Sequence, residues 1–156
     1  MSNATKTGNQ VGQTAPDFAL PDQDEHLVRL SDYRGKQPVV LFFYPKDHSP
    51  VCTQEACAFR DAYERFLEMG AEVIGISADS AKSHRSFAQR NRLPYRLLAD
   101  TDSAVHALYG AKTLFGLMNN RVTFIIDRQG VIRHRFSDMM NGTAHVDEML
   151  RVLQSL

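Results

Sequence analysis

An α/β fold, with a central mixed β-sheet flanked by helices on both faces, is predicted for this chain by three observations. Pro38 to Tyr44 (PVVLFFY) is an unbroken β-branched and aromatic run, the pattern of a strand covered on both sides. A helical repeat, a second apolar strand and a second helix follow it, so that strand and helix alternate. Towards the C-terminus, RVTFIID and VIRHRF flank Arg128-Gln129-Gly130 as an antiparallel hairpin, which adds strands of the opposite sense to the same sheet.

The elements follow in order. The polar decamer MSNATKTGNQ, residues 1–10, has no apolar core and reads as a disordered tail or expression remnant, leaving residues 11–156 as a single domain. APDFAL and HLVRLSDYRGK form an N-terminal hairpin or loop, with Gly35 closing a turn before the central strand. From Cys52 onward, Ala56, Phe59, Tyr63 and Phe66 recur at three- and four-residue spacing, and Gly70 stands where that helix stops. Ala71 to Asp79 (AEVIGISAD) is the second strand, and SAKSHRSFAQRN is a helix that ends before Leu93-Pro94. A short helix over residues 102–109 leads into LFGLMNN, and a last helix from about Thr143 carries Val146, Met149, Leu150 and Leu153 on one face.

Composition narrows the function. Lys plus Arg equals Asp plus Glu at 18 each, with no block of like charge, which argues against a nucleic-acid or membrane-surface partner and for a small, roughly neutral one. With no signal-peptide pattern and no run of ~18 apolar residues, the expected location is cytoplasmic. Six scattered histidines show no ligand spacing, and no metal is expected.

The only two cysteines lie five positions apart in HSPVCTQEACAFRD, residues 48–61. They are either small buried hydrophobes or a redox pair. Ser49 followed by Pro50 suits an N-cap and first helical position, which puts Cys52 in the first turn. There the backbone N–H groups and the positive end of the macrodipole favour a thiolate, making Cys52 the candidate nucleophile. Cys57, a turn and a half further on, is a second and slower thiol. Five residues of ideal helix separate the Cα atoms by about 8.6 Å, beyond the roughly 7 Å that a disulfide spans. Any bridge between them therefore requires the start of the helix to unwind.

YPKDHSPVCTQEACAFRD resembles the active-site segment of the peroxiredoxins, in particular the bacterioferritin-comigratory (PrxQ) subfamily, with Pro45, Ser49, Cys52 and Cys57 at the motif positions. GQTAPDFALPD resembles the family's N-terminal segment, and RVTFIID the strand that begins with its active-site arginine, here Arg121. The resemblance covers nearly the whole chain from Val11, with the motifs in order. It implies a thioredoxin-like fold and a thiol-dependent peroxidase that reduces hydrogen peroxide and organic hydroperoxides. Cys52 would pass through a sulfenic acid to a Cys52–Cys57 intramolecular disulfide, recycled by thioredoxin or a similar dithiol, without a cofactor. Arg121 would favour the thiolate and donate to the peroxide. Ser49 would donate to a peroxide oxygen or cap the helix, and Pro45 would shield the thiolate from water. A thioredoxin-fold redox sensor or binding module is the alternative reading.

Two positions depart from the subfamily's usual pattern: Val51 stands where Gly is most common, and Ser49 where Thr is more usual. Glu55 either complements the macrodipole or orients Arg121. His48 is an exposed loop residue or a base. Phe115, Leu117 and Met118 form an apolar patch for organic peroxides or for a dimer, or else they pack in the core; the chain is expected to be a monomer or weak homodimer.

Overall fold

The computed structural model describes residues 6–113 and 115–156. In chain order the elements are β1 (Ala19–Pro21), β2 (Leu27–Arg29), β3 (Val39–Phe43), α1 (Pro50–Glu68), β4 (Glu72–Ser77), α2 (Ala81–Asn91), β5 (Arg96–Ala99), α3 (Ala104–Leu108), β6 (Lys112–Thr113), β7 (Met118–Asn119), β8 (Val122–Ile126), β9 (Ile132–Ser137) and α4 (Gly142–Leu153). The main sheet runs β5-β4-β3-β8-β9. β3 pairs parallel with β4 (Val39 opposite Glu72) and antiparallel with β8 (Val39 opposite Ile126), so the run PVVLFFY is the central strand of a mixed sheet. All five residues of β3 are buried.

The crossovers β3-α1-β4 and β4-α2-β5 step the same way across the sheet. With the right-handed sense that parallel connections take, α1 and α2 fall on one face. α4 joins them there, and Val40, Phe42, Val73, Leu97 and Ile125 of the sheet meet Phe59, Phe66, Phe87, Val146, Met149 and Leu150 in one core. Phe42 stacks on Phe59 with ring centroids 4.5 Å apart. The opposite face, with Leu41, Phe43, Ile74 and Phe124, is covered by Phe18, Val28 and Leu30 of the N-terminal segment and by Val105 and Tyr109 at α3. Among the described residues helices thus flank both faces as the sequence predicts, α1, α2 and α4 on one, and on the other α3 together with a single 3-10 turn over Leu30–Asp32.

Three local features fix the C-terminal end of α1 and the seat of α4. α1 ends where Gly70, at φ +80°, takes the left-handed conformation expected of a stop. Gly142, at the start of α4, lies so close to α1 that a Cβ there would stand 2.7 Å from both the backbone nitrogen and the Cβ of Glu55. The peptide N–H of Gly142 donates to Gln54 Oε1 at 3.0 Å, seating α4 against the first turns of α1.

The tail expected over residues 1–10 is in part laid along the fold. Gly8 N–H donates to Thr14 O and Asn9 Nδ2 to Leu108 O; residues 1–5 lie outside the described residues. Phe115, Leu117 and Met118 stand exposed on and before β7, which removes the core-packing alternative for them. Leu114, in the same stretch, lies outside the described residues.

Candidate active site

Ser49 is the N-cap residue of α1 and Pro50 its first helical residue, as the sequence predicts. The Ser49 hydroxyl does not cap the helix, however. It donates back to Lys46 O at 2.9 Å. Instead, Ser49 O accepts from both the N–H (2.9 Å) and the hydroxyl (2.8 Å) of Thr53, which tie down the first turn. Val51 sits in ordinary right-handed helix and is not among the residues with positive φ, so the residue that replaces the usual Gly introduces no backbone strain. The strain in this loop falls on His48, exposed at φ +66° with its ring edge-on to Phe87.

Cys52, in the first turn, is 1 % exposed and faces the sheet. Arg121 reaches it from the other side. Along β8 the alternation directs Thr123 and Ile125 towards α1, and Arg121, two residues before Thr123, shares that direction. Its guanidinium divides three donor directions among three partners: Nη2 to Cys52 Sγ at 3.3 Å, Nη1 to Glu55 Oε1 at 2.8 Å, and Nε to Met139 O at 3.0 Å. Of the two roles open for Glu55, the structure gives it the orientation of Arg121.

Glu55 is fully buried, and burial pushes its carboxyl up to about 8 against the opposing pull of Arg121. Its second oxygen, Oε2, accepts no hydrogen bond and faces His145 Nδ1 across 3.4 Å. His145, equally buried, has Nδ1 2.7 Å from Thr123 Oγ1 and Nε2 2.8 Å from Asp138 O. Burial holds the imidazole below the usual histidine range, and the charge of Arg121 adds to this. The 138–139 turn therefore fixes both His145 and Arg121 through adjacent carbonyls.

Cys57 is half-buried on the same unbroken helix, with Sγ 3.7 Å from Asn91 Oδ1 at the end of α2. Arg60 Nη1 donates to Asn91 O at 2.8 Å. Both thiols are free, and the helix between them is intact. Pro45 is half-buried in the loop between β3 and α1.

Sequence reading missed the network that holds this loop. Asp47 Oδ1 accepts from Tyr44 Oη at 2.7 Å, and its Oδ2 lies 2.8 Å from both Ser83 Oγ and His84 Nδ1. His84 Nε2 reaches Leu98 O at 2.9 Å, and Asp47 N–H donates to Asp79 Oδ2 at 2.8 Å. Burial opposes the Asp47 charge, but the hydrogen bonds from His84, Tyr44 and Ser83 outweigh it and hold the carboxyl below its usual value. The signals were charged or polar residues at apolar positions: Asp47 just after a buried strand, His84 three residues before the buried Phe87, and His145 four residues before the buried Met149.

Residues 11–135 match the AhpC/TSA family. The chain is 46 % identical over 146 residues to chloroplastic peroxiredoxin Q of Sedum lineare, covering 93 % of this chain and 78 % of that protein. It is 48 % identical over 146 residues to the corresponding protein of Suaeda salsa, covering 93 % and 68 %. Among solved structures, the fold superposes on peroxidoxin BcpB of Mycobacterium tuberculosis with a TM-score of 0.87 at 40 % identity, covering 94 % of this chain and 97 % of that one. Peroxiredoxin Q of Xanthomonas campestris gives 0.81 at 26 % identity, with 88 % and 90 % covered. The sheet order, a cysteine at a helix N-terminus bonded by a buried arginine, and these likenesses agree: the chain belongs to the AhpC/TSA family, as a thiol-dependent peroxidase of the peroxiredoxin Q type.

Proposed function

We propose that Cys52 is the sulfur that attacks the peroxide, that Cys57 resolves it, and that Arg121 and Glu55 set the charge of the site. The observation that carries this reading is the Arg121 guanidinium, which donates at once to Cys52 Sγ and to Glu55 Oε1 in a buried setting. A permanent cation at this distance favours the thiolate, and the first-turn N–H groups of α1 add to it. Its planar fork also suits the two oxygens of a peroxide better than a point charge does.

In the first step Cys52–S⁻ attacks one peroxide oxygen, the O–O bond breaks, and a proton completes the leaving alkoxide: Cys52–S⁻ + ROOH + H⁺ gives Cys52–SOH + ROH. Ser49 lies one turn from the sulfur and would have to turn its hydroxyl from Lys46 O to donate to the peroxide. Pro45, half-buried in the same loop, would limit water at the sulfur. In the second step Cys57–SH displaces water from the sulfenic acid and the disulfide forms. A thioredoxin-type dithiol then reduces it. A structure of the bacterioferritin comigratory protein of Xanthomonas campestris, 26 % identical, is described in terms of alkyl peroxide reduction, which supports organic hydroperoxides alongside hydrogen peroxide.

The remaining assignments belong to the same reading: a single domain over residues 11–156, acting as a monomer or weak homodimer in a reducing compartment such as the cytoplasm. Both cysteines are free thiols, and no helix of the described residues is long and apolar enough to cross a membrane. Steady consumption of peroxide with thioredoxin, thioredoxin reductase and NADPH tests the cycle. Cys52→Ser is expected to abolish it, and Cys57→Ser to permit one oxidation and no turnover with thioredoxin. Turnover by Cys52→Ser would refute the assignment.

A further inference from the structure

We propose that Glu55 and His145 form a proton store for Cys52: the proton that leaves the thiol is held between Glu55 Oε2 and His145 Nδ1, which leaves the Arg121 charge to the thiolate. The proposal rests on Cys52 being the nucleophile and makes His145 a positioning residue of the reaction.

Hydrogen-bond geometry leaves one buried oxygen unpaired at this place. His145 Nε2 faces the Asp138 carbonyl at 2.8 Å, which only accepts, so Nε2 carries a hydrogen. In the neutral ring Nδ1 is then a single lone pair, which the Thr123 hydroxyl, 2.7 Å away, can fill as a donor. Glu55 Oε2, 3.4 Å from the same nitrogen, is left buried and without a hydrogen bond. A proton on Oε2 gives that oxygen a partner in Nδ1, the Thr123 hydroxyl then turning away from the nitrogen.

The charge balance leads to the same arrangement. With Cys52 as thiol, Arg121⁺ and Glu55⁻ sum to zero. With Cys52 as thiolate, the cluster is again neutral only if Glu55 and His145 together hold one proton. Release of that proton to solvent would leave an uncompensated negative charge in a site where Cys52, Glu55 and His145 are all buried, and such a charge is costly. The other groups that act on the pair do not supply the compensation. Tyr95 is buried and its phenol is pushed well above the usual range, so it stays neutral. Asp138, on the turn after β9, is an acid and can add only negative charge. The upward push on Glu55 to about 8 and the downward push on His145 place the proton on the carboxyl side. The peroxide step then closes without solvent: the O–O bond breaks as the S–O bond forms, and the stored proton completes ROH.

The test is the pH profile of the first oxidation, measured in Cys57→Ser by trapping the sulfenic acid with dimedone and reading the mass. His145→Leu is expected to slow oxidation roughly tenfold at neutral pH, equivalent to a profile displaced upward by about one unit, and to recover at alkaline pH. His145→Asn, which keeps an acceptor near Nδ1, should restore part of the loss. Glu55→Gln is a fixed image of the protonated acid: its oxygen still accepts from Arg121 and its amide donates to His145 Nδ1. It should move the profile downward and, having no proton to give, lower the limiting rate of oxidation, and in its background His145→Leu should add no further shift. An upward shift in Glu55→Gln, or equal shifts from His145→Leu in both backgrounds, overturns the proposal. The unmutated protein gives a check that needs no folding of variants: difference infrared, recorded above pH 8 where Glu55 beside a neutral sulfur has lost its proton, should show a protonated carboxyl in the thiolate form that is lost on conversion to sulfenic acid. A spectrum without that loss also overturns the store. Cys52 taking up no oxygen at any pH overturns the assignment of the nucleophile itself, and the store with it.

Discussion

At the scale of single residues, Arg121 is where sequence and geometry agree most closely. The motif marks it, and its three donors reach a sulfur, a carboxylate and a carbonyl. A lysine supplies the charge but cannot reach three partners in one plane. Arg121→Ala is expected to slow the first oxidation by roughly a hundredfold, and Arg121→Lys to recover only a minor part, read as the initial rate of sulfenic acid formation. Glu55 gives a second prediction, on stability. Its folded carboxyl titrates near 8 against 4.5 as the reference value, so the folded chain holds a proton that the unfolded chain has released. The contribution of that proton is full below the unfolded value and is lost as pH rises through about 8. In Cys52→Ser, which has no thiol proton to hand to the pair, stability should therefore fall across pH 5–8 with a slope approaching ~1.4 kcal/mol per pH unit. Glu55→Gln should flatten it, as urea midpoints at several pH values will show. What the sequence could not show was the state of these groups. Only the family resemblance tied Glu55 to Arg121, 66 residues away, and Ser49 has the residue type of a cap while its hydroxyl turns to Lys46.

At the scale of elements, α1 holds both cysteines on one continuous helix, and the geometry that separates them was legible from spacing alone. Disulfide formation must open the first turns, against both Thr53 donors to Ser49 O, the Gly142 N–H donor to Gln54 Oε1, and the Arg60 donor to Asn91 O. Thr53→Ala would remove one of these bonds, which offsets the higher helix propensity of alanine. Val51→Ala is the better probe, since a valine gives up about 0.5 kcal/mol of helix propensity relative to alanine. It should slow disulfide closure roughly twofold and raise the yield of sulfinic acid at high peroxide, measured by intact mass. Amide exchange across residues 52–60 should be faster in the disulfide form than in the reduced form. Equal protection would mean that the bridge closes without opening the helix.

At the scale of the whole molecule, the site is assembled from three elements that meet at one end of the sheet. α1 brings Cys52 and Glu55, the start of β8 brings Arg121 and Thr123, and α4 with the turn before it brings His145 and the 138–139 carbonyls. Strand runs and helical repeats in the sequence were enough for the sheet, its mixed sense and the layers, because each reflects burial periodicity along a short segment. The meeting of α4 with α1 was not legible, because it depends on the missing side chain of Gly142 rather than on any motif. Gly142→Val should push α4 away from Glu55, lowering the thermal midpoint by several degrees and slowing the first oxidation, although it touches neither cysteine.

The central claim is that Cys52 receives the peroxide oxygen and hands it on to Cys57 within one chain. Reduced protein treated with a single equivalent of peroxide, then digested and mapped by mass under non-reducing conditions, tests this directly. The expected product is an intrachain Cys52–Cys57 disulfide, replaced in Cys57→Ser by one oxygen atom on Cys52. An oxygen found first on Cys57, or disulfides only between chains, would contradict the account.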